Sequence, residues 1–459
     1  MLGNLIGPEI KELIEQRNFS ALREAFLDWS PTDIAECIAE LPHEEQAVVF
    51  RILPQSIATD VFEYLEPDTQ QSVLKAMGHT EAARILNDMS ADDRTALLEE
   101  LPGVAVLQLL QLLSPEERAV AQSLLNYPPG TVGRLMTPAF LSVREGWSIQ
   151  ETLDHIRLHG SDMETLNVIY VTDERGHLID DLRIREILIR PVSTVISSFR
   201  DSTFTSLQAT DEQGDALEIF RKYDRNTLPV VDQSGHLLGI VTIDDMLDVQ
   251  EEETTEDIQK LGGVEALEDP YMDSSIFALV KKRAVWLVLL FIGEMFTATA
   301  MGFFEHQLER AVMLALFIPL IISAGGNAGS QATSLLIRAM ALGEVHARDW
   351  WRVMRREIAS GLALGLLLGL IGFARIALWG QFSTIYGPHY LLLGATVGIT
   401  VLGVVLWGTL AGSMLPILLR RLGLDPATSS APFVATLVDV TGLVIYFSVA
   451  VLLLRGTVL

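Results

Sequence analysis

Residues 431–454 read APFVATLVDVTGLVIYFSVAVLLL, an apolar stretch that holds one acid, Asp439, and no base. It is long enough to cross a bilayer, which takes about 20 residues. A carboxylate at membrane depth costs roughly 2.5–3.5 kcal/mol on insertion scales, so it faces a pore or a partner. An earlier stretch, residues 319–334, reads PLIISAGGNAGSQATS. Glycine carbonyls, an asparagine and a lone carboxylate are oxygen ligands suited to a hard cation. The pattern points to a cation channel or transporter, and the acidic remainder of the chain is placed to sense such an ion.

Working outward, five segments are apolar enough to span: Ala284–Phe304, Ala311–Leu336, Ile358–Gly380, Tyr390–Leu419 and Ala431–Leu454. Basic residues mark one side: Lys281, Lys282 and Arg283 before the first span, five arginines between Arg338 and Arg356, then Arg420 and Arg421. By the positive-inside rule the N-terminal half is expected in the cytoplasm and the C-terminus outside, across the plasma (inner) membrane. The opening MLGNLIGPEIKELIEQ has no basic region leading into an apolar core, so no signal peptide is expected and the first span becomes the insertion signal.

At 459 residues the chain is expected to hold two to four domains. Its net charge of −26 is unevenly placed: from Lys281 onward there are 13 basic and 8 acidic side chains, leaving 20 and 51 before it. Such an N-terminal part is a poor nucleic-acid binder, because phosphate neutralisation needs the opposite sign. It attracts cations instead, although acidic excess also serves solubility. The single cysteine, Cys37, rules out an intrachain disulfide and a cysteine-rich zinc site.

In residues 31–125, Leu41-Pro42, Leu53-Pro54, Met89-Ser90, Leu101-Pro102 and Ser114-Pro115 punctuate apolar segments of helical period. Proline suits a first helical turn, and Ser90 and Ser114 are placed to cap. The expectation is an α-helical N-terminal superhelical array, a regulatory rather than catalytic module. From Gly130 strands and helices alternate, and a second copy holds LPVVDQSGHLLGIVT with a turn at Ser234-Gly235. The repeat resembles a tandem pair of cystathionine-β-synthase (CBS) domains. The second copy matches at residues 228–232, Gly235, Gly239, Thr242 and Asp245; the first departs, with LIDDLRIREIL where a glycine and a hydroxyl are usual. Thr242 and Asp245 stand where nucleotide-binding members hold adenosine phosphates and ribose, and the plain alternative is a helix cap beside a surface acid.

Asp245, Asp248, Glu252 and Glu256 recur at three or four residues, with Glu253 and Asp257 on a neighbouring stripe. Like charges at that spacing destabilise a helix unless something neutralises them. A shared divalent cation would do so; a solvated linker is the alternative. In the second span, Gly325, Gly326 and Gly329 each cost roughly 1 kcal/mol against alanine. Helix packing accounts for them, as does exposure of carbonyls to an ion, with Asn327 and Gln331 adding polar contacts. No histidine or cysteine lies in spans two or five, which disfavours a soft metal. Asp439 paired with Arg375 is a structural alternative. For Glu294 three roles stay open: a pore vestibule, a pair with Arg375, or a protonated acid.

PLIISAGGNAGSQATSLLIRA, RRLGLDPATSSAPFVATLVDVTGLVIYF, the CBS pair and the helical N-terminal part together resemble the MgtE family of bacterial magnesium channels, over essentially the whole chain. The resemblance implies a multi-domain membrane protein: an N-terminal helical domain (1–129), CBS domains (130–190 and 191–250), an acidic linker (251–283) and a five-helix all-α transmembrane domain (284–459). It implies a homodimer conducting Mg²⁺ and closed by cytosolic Mg²⁺. It places Asp439, Ala435 and the Gly325, Gly326, Asn327 and Gly329 region at the pore. The sensor acids it implies are Asp224, Asp245, Asp248, Glu253, Glu256, Asp257 and Asp425, with Asp92 and Asp93 in the N-terminal domain. Gly214 stands where an acid is usual, beside Asp215, and Ala431 where some members have asparagine. The alternative is a broader Co²⁺/Mn²⁺ transporter whose CBS pair reads ATP. No nucleophile–base arrangement or phosphate-binding loop appears, so an enzyme is not expected.

Overall fold

The structure, a computed structural model, describes residues 10, 12–14, 16, 18–267, 271, 274–383 and 385–457. Most of the opening segment read for a signal lies outside them, as do Met272 and Asp273 of the segment leading to the first span. The chain divides into two compact units, one through Glu251 and one from Glu252.

The first unit begins with α1 (Phe19–Phe26), α2 (Pro31–Ala39), α3 (His43–Ile52), α4 (Ala58–Glu63), α5 (Pro67–Ala76), α6 (His79–Asp88), α7 (Ala91–Glu99), α8 (Gly103–Leu112) and α9 (Pro115–Leu125). Ser90 and Ser114 cap α7 and α9 by accepting from the Asp93 and Glu117 amides, as their positions before an apolar run require. Pro42 and Pro102 stand at the N-caps, and Pro54 opens a turn before α4 starts at Ala58. Helices pack on those two places along, α2 on α4, α3 on α5, α4 on α6, α6 on α8 and α7 on α9, around one core that includes Phe26, Ile38, Val49, Phe62, Ile85 and Leu97. Arg94 is fully buried; its guanidinium donates to the Leu86 and Met89 carbonyls at 3.0 and 3.3 Å and pairs with Glu117. That arginine closes the end of α6 and ties it to α9.

Two α+β modules follow: β1 (Ser142–Arg144), α10 (Ile149–His159), β2 (Val168–Thr172) and β3 (Leu178–Arg183), then β4 (Leu207–Gln208), α11 (Gln213–Tyr223), β5 (Thr227–Val231) and β6 (Leu237–Thr242). Each sheet has one parallel and one antiparallel pairing, ordered β1-β2-β3 and β4-β5-β6. The modules exchange their leading segments. Val132 and Gly133 donate to Asp211 and Ala209, and Val132 and Met136 join the core of the second module. Ile149 and Gln150 take the Thr194 and Val192 carbonyls, and Ile196 joins the core of the first. The hairpin tips also pair, Leu178 with Gly235 and Leu237 with Gly176. There Gly176, at φ +88°, packs so near His236 that no side chain fits. Helix α12 (Ile243–Leu261) completes the pair.

The second unit holds α13 (Ile276–Phe303), α14 (Ile318–Ala341), α15 (Trp350–Trp379), α16 (Tyr390–Arg421) and α17 (Ala431–Leu454), the five helices long and apolar enough to cross a membrane among the described residues. Two begin earlier than their apolar stretches: α13 at Ile276, capped by Ser275, and α15 at Trp350 with three arginines in its first turns. Helical hydrogen bonding continues through a charged flank, so hydropathy marks the buried length and not the helix end. Glycines set the crossings. A Cβ on Gly408 would come within 2.5 Å of the Gly325 carbonyl oxygen, one on Gly412 would overlap that of Gly329, and one on Gly369 would lie 2.6 Å from that of Gly398. Small-residue contacts of this kind let membrane helices approach backbone to backbone.

Candidate functional site

The pore candidates sit where α14 meets α17. Gly326 lies beside the last helix, with space for a Cβ only 3.2 Å from Asp439 Oδ1 and 3.5 Å from the Ala435 methyl. Asp439, Ala435 and Gly326 therefore form one constellation. Gly325 and Gly329 turn elsewhere: Gly325 packs on Val404 and Val438, Gly329 on Val434 and Gly408, and their carbonyls face the crossing with α16. In the single chain both glycines serve helix packing. The other side of α14 presents Ser323, Asn327, Gln331 and Ser334 as an exposed polar stripe, with Asn327 Nδ2 3.2 Å from Ser323 Oγ. Arg375 lies over the Trp379 ring, 5.8 Å from its centroid, and Asp439 has no ion pair with it.

A second site lies in the first unit, where the start of α7 meets the start of α12. Burial, and then the Asp92 charge, push the Asp245 carboxyl up to about 8, against the hydrogen bonds of Thr242. Asp92 is raised to about 6 by burial and by Asp93, and Glu164 to about 7 by burial, Asp92, Asp244 and Asp93. Asp93 and Asp248 are raised too, by burial first and then Asp244. Asp92 Oδ1 is buried with no hydrogen-bond partner. Among the described residues none of these acids is ion-paired with a base. Among the described residues no three acids, histidines or cysteines stand close enough to grip a bare metal. The orphaned oxygen and uncompensated charge suit a cation that keeps its water shell. Thr242 donates to the Asp245 carboxylate from its hydroxyl at 2.7 Å and from its amide at 3.3 Å.

The remaining sensor candidates separate. Asp224 is exposed, in the left-handed conformation (φ 49°) that ends α11. In the second unit Glu256 and Asp425 share Lys260, each 2.8 Å from its Nζ. Asp257 is raised by burial and then by Asp425. Glu253 lies one turn earlier, half-buried. Beyond α12, Gly263 sits near the start of α17: a Cβ on it would lie 3.4 Å from Ser430 Oγ and from Pro432 Cγ. Sequence reasoning missed Lys260, Asp244 and Glu164. The i,i+4 spacing of Glu256 and Lys260 carried a signal for the first, and the paired aspartates at a helix start one for the second; nothing marked Glu164.

Comparison with known proteins follows this geometry. A family described as a divalent cation transporter matches residues 318–449, the MgtE intracellular N domain matches 29–130, and a CBS domain matches 196–252. A magnesium transporter MgtE of Thermus thermophilus is 38% identical over 98% of this chain and 99% of its own, and one of Enterococcus faecalis 30% over 97% and 96%. The crystal structure of the cytosolic domain of the Mg²⁺ channel MgtE in complex with ATP is similar at TM-score 0.50 and 33% identity, covering 52% of this chain and 98% of that one. With likeness of that extent running through its soluble modules and its five membrane helices, the chain belongs to the MgtE family of divalent cation transporters.

Proposed function

We propose that the protein conducts Mg²⁺ through a homodimeric pore in the plasma membrane, with its N-terminus cytoplasmic and its C-terminus outside. The observation that carries this reading is Asp439 beside Gly326 and Ala435, a carboxylate at membrane depth with no base. Mg²⁺ requires octahedral oxygen coordination and sheds water reluctantly. Asp439 from two copies supplies charge to the hydrated ion without a dehydrating cage. The exposed stripe of Ser323, Asn327, Gln331 and Ser334 supports the dimer, since polar groups at membrane depth need protein or water.

Closure uses the two carboxylate sites. Asp93, Asp245 and Asp248, with Asp92, Asp244 and Glu164, repel one another until hydrated Mg²⁺ binds between them. Glu253, Glu256, Asp257 and Asp425 gather at the end of α12, and Gly263, just beyond that helix and near Pro432, couples it to the helix bearing Asp439. The ion shifts the population only by binding the closed state more tightly. A second reading adds a nucleotide at the CBS pair, near Thr242 and Asp245, because a related cytosolic domain crystallised with ATP.

The test is Mg²⁺ uptake into proteoliposomes at low and high cytosolic-side Mg²⁺. Asp439→Ala should abolish uptake, and high Mg²⁺ should suppress it in the unmodified protein. Normal uptake by Asp439→Ala would remove the pore assignment.

A further inference from the structure

Helix α13 carries one acid, Glu294, and no base within Ala284–Phe304. Most of the helix is exposed on the single chain, and so is Glu294. A charge at that depth facing lipid is costly. Two contacts fix the register of α13 on α17. A Cβ on Gly293 would lie 3.0 Å from Thr436 Cγ2, and Phe304 stacks on Phe447 with ring centroids 4.9 Å apart. Both pairs have the same sequence offset, so the helices run parallel and Phe296 is level with Asp439. Glu294 then lies about 3 Å from Asp439 along the axis, at 1.5 Å per residue. One turn on, on the same face, Thr297 is buried, and its hydroxyl has no partner, not even a carbonyl of its own helix.

We propose that Glu294 is a second carboxylate of the ion path, with Thr297 holding a water beside it. A hydrated divalent cation at Asp439 donates hydrogen bonds from its waters to Glu294, and no inner-sphere bond forms. The pairing doubles the acids from two to four in a dimer. It explains why an apolar helix tolerates an acid that no arginine answers. This inference rests on the ion path proposed above.

The full chain in proteoliposomes tests it with Mg²⁺ uptake and its block by hexaamminecobalt(III), an octahedral cation whose ligands do not exchange. Glu294→Gln should raise the half-saturating Mg²⁺ and weaken the block, each on the order of tenfold, as expected for one charge lost per copy in a partly aqueous path. Thr297→Val should shift both several-fold. Unchanged affinity and block in Glu294→Gln, with uptake abolished in Asp439→Asn, would overturn the role of Glu294 alone. Full uptake in Asp439→Asn would overturn the path itself. Should Glu294→Gln not fold, Glu294→Cys decides: a charged methanethiosulfonate should modify it, more slowly with Mg²⁺ present. No modification would place residue 294 against lipid and end the proposal.

Discussion

Asp245→Asn is the most informative change in the carboxylate site of the first unit. In the fold, burial and Asp92 raise the Asp245 carboxyl from 3.8 to about 8. Between those values the folded chain holds a proton that the unfolded chain has released, so stability falls as pH rises across that window. At pH 7 this amounts to about 4 kcal/mol for the carboxyl taken alone, from 1.36 kcal/mol per tenfold in acidity. Part of this is shared with Asp92, which titrates with it, so a difference on the order of 2 kcal/mol, about 4–8 °C for a unit of this size, is expected. Asparagine keeps an oxygen to accept from Thr242, so those hydrogen bonds survive. The assay is thermal unfolding of the full chain in detergent, with chelator or Mg²⁺, at pH 6 and 8. With chelator, the unmodified protein should melt higher at pH 6, and Mg²⁺ should narrow the gap. Asp245→Asn should melt higher at pH 8 and gain less from Mg²⁺. A lower midpoint, or an undiminished gain, would refute the reasoning.

Three further outcomes follow from the geometry. Lys260→Met leaves Glu256 and Asp425 without their shared ammonium, so closure should need several-fold more cytosolic Mg²⁺, read from the inhibition curve of uptake. Gly412→Leu drives a side chain into the Gly329 carbonyl and should cost at least 1–3 kcal/mol, seen as loss of monodisperse protein in detergent. Arg94→Ala leaves Glu117 and two helix-end carbonyls without their donor; about 1–3 kcal/mol should be lost, measured as a lower unfolding midpoint of the first unit.

Much of this was legible because it is written in local chemistry. The five spans follow from hydropathy, the Ser90 and Ser114 caps from a hydroxyl before an apolar run, and Asp439 stands out as the lone acid of its apolar run. The glycines of α14 were not separable by reading. Gly325 and Gly326 differ by one residue, yet 100° of helix turn sends one to Val404 and the other to Asp439. Which neighbour occupies each direction is a property of packing. The confrontation of Asp92 with Asp245 was equally hidden, since more than 150 positions separate them and neither carries a local signal of the other. Lys260 was passed over because an acidic run draws the eye from its one base.

The exchange of leading segments between the two CBS modules has a consequence for how this half of the protein can be divided. A cut near residue 138 strips the second module of Val132 and Met136 while appearing to trim only the first. A cut near residue 190 takes Ile196 from the first. Neither module owns a complete interior, so the pair should melt as a single object. Shuffling one copy alone between relatives would transplant half of each hydrophobic centre.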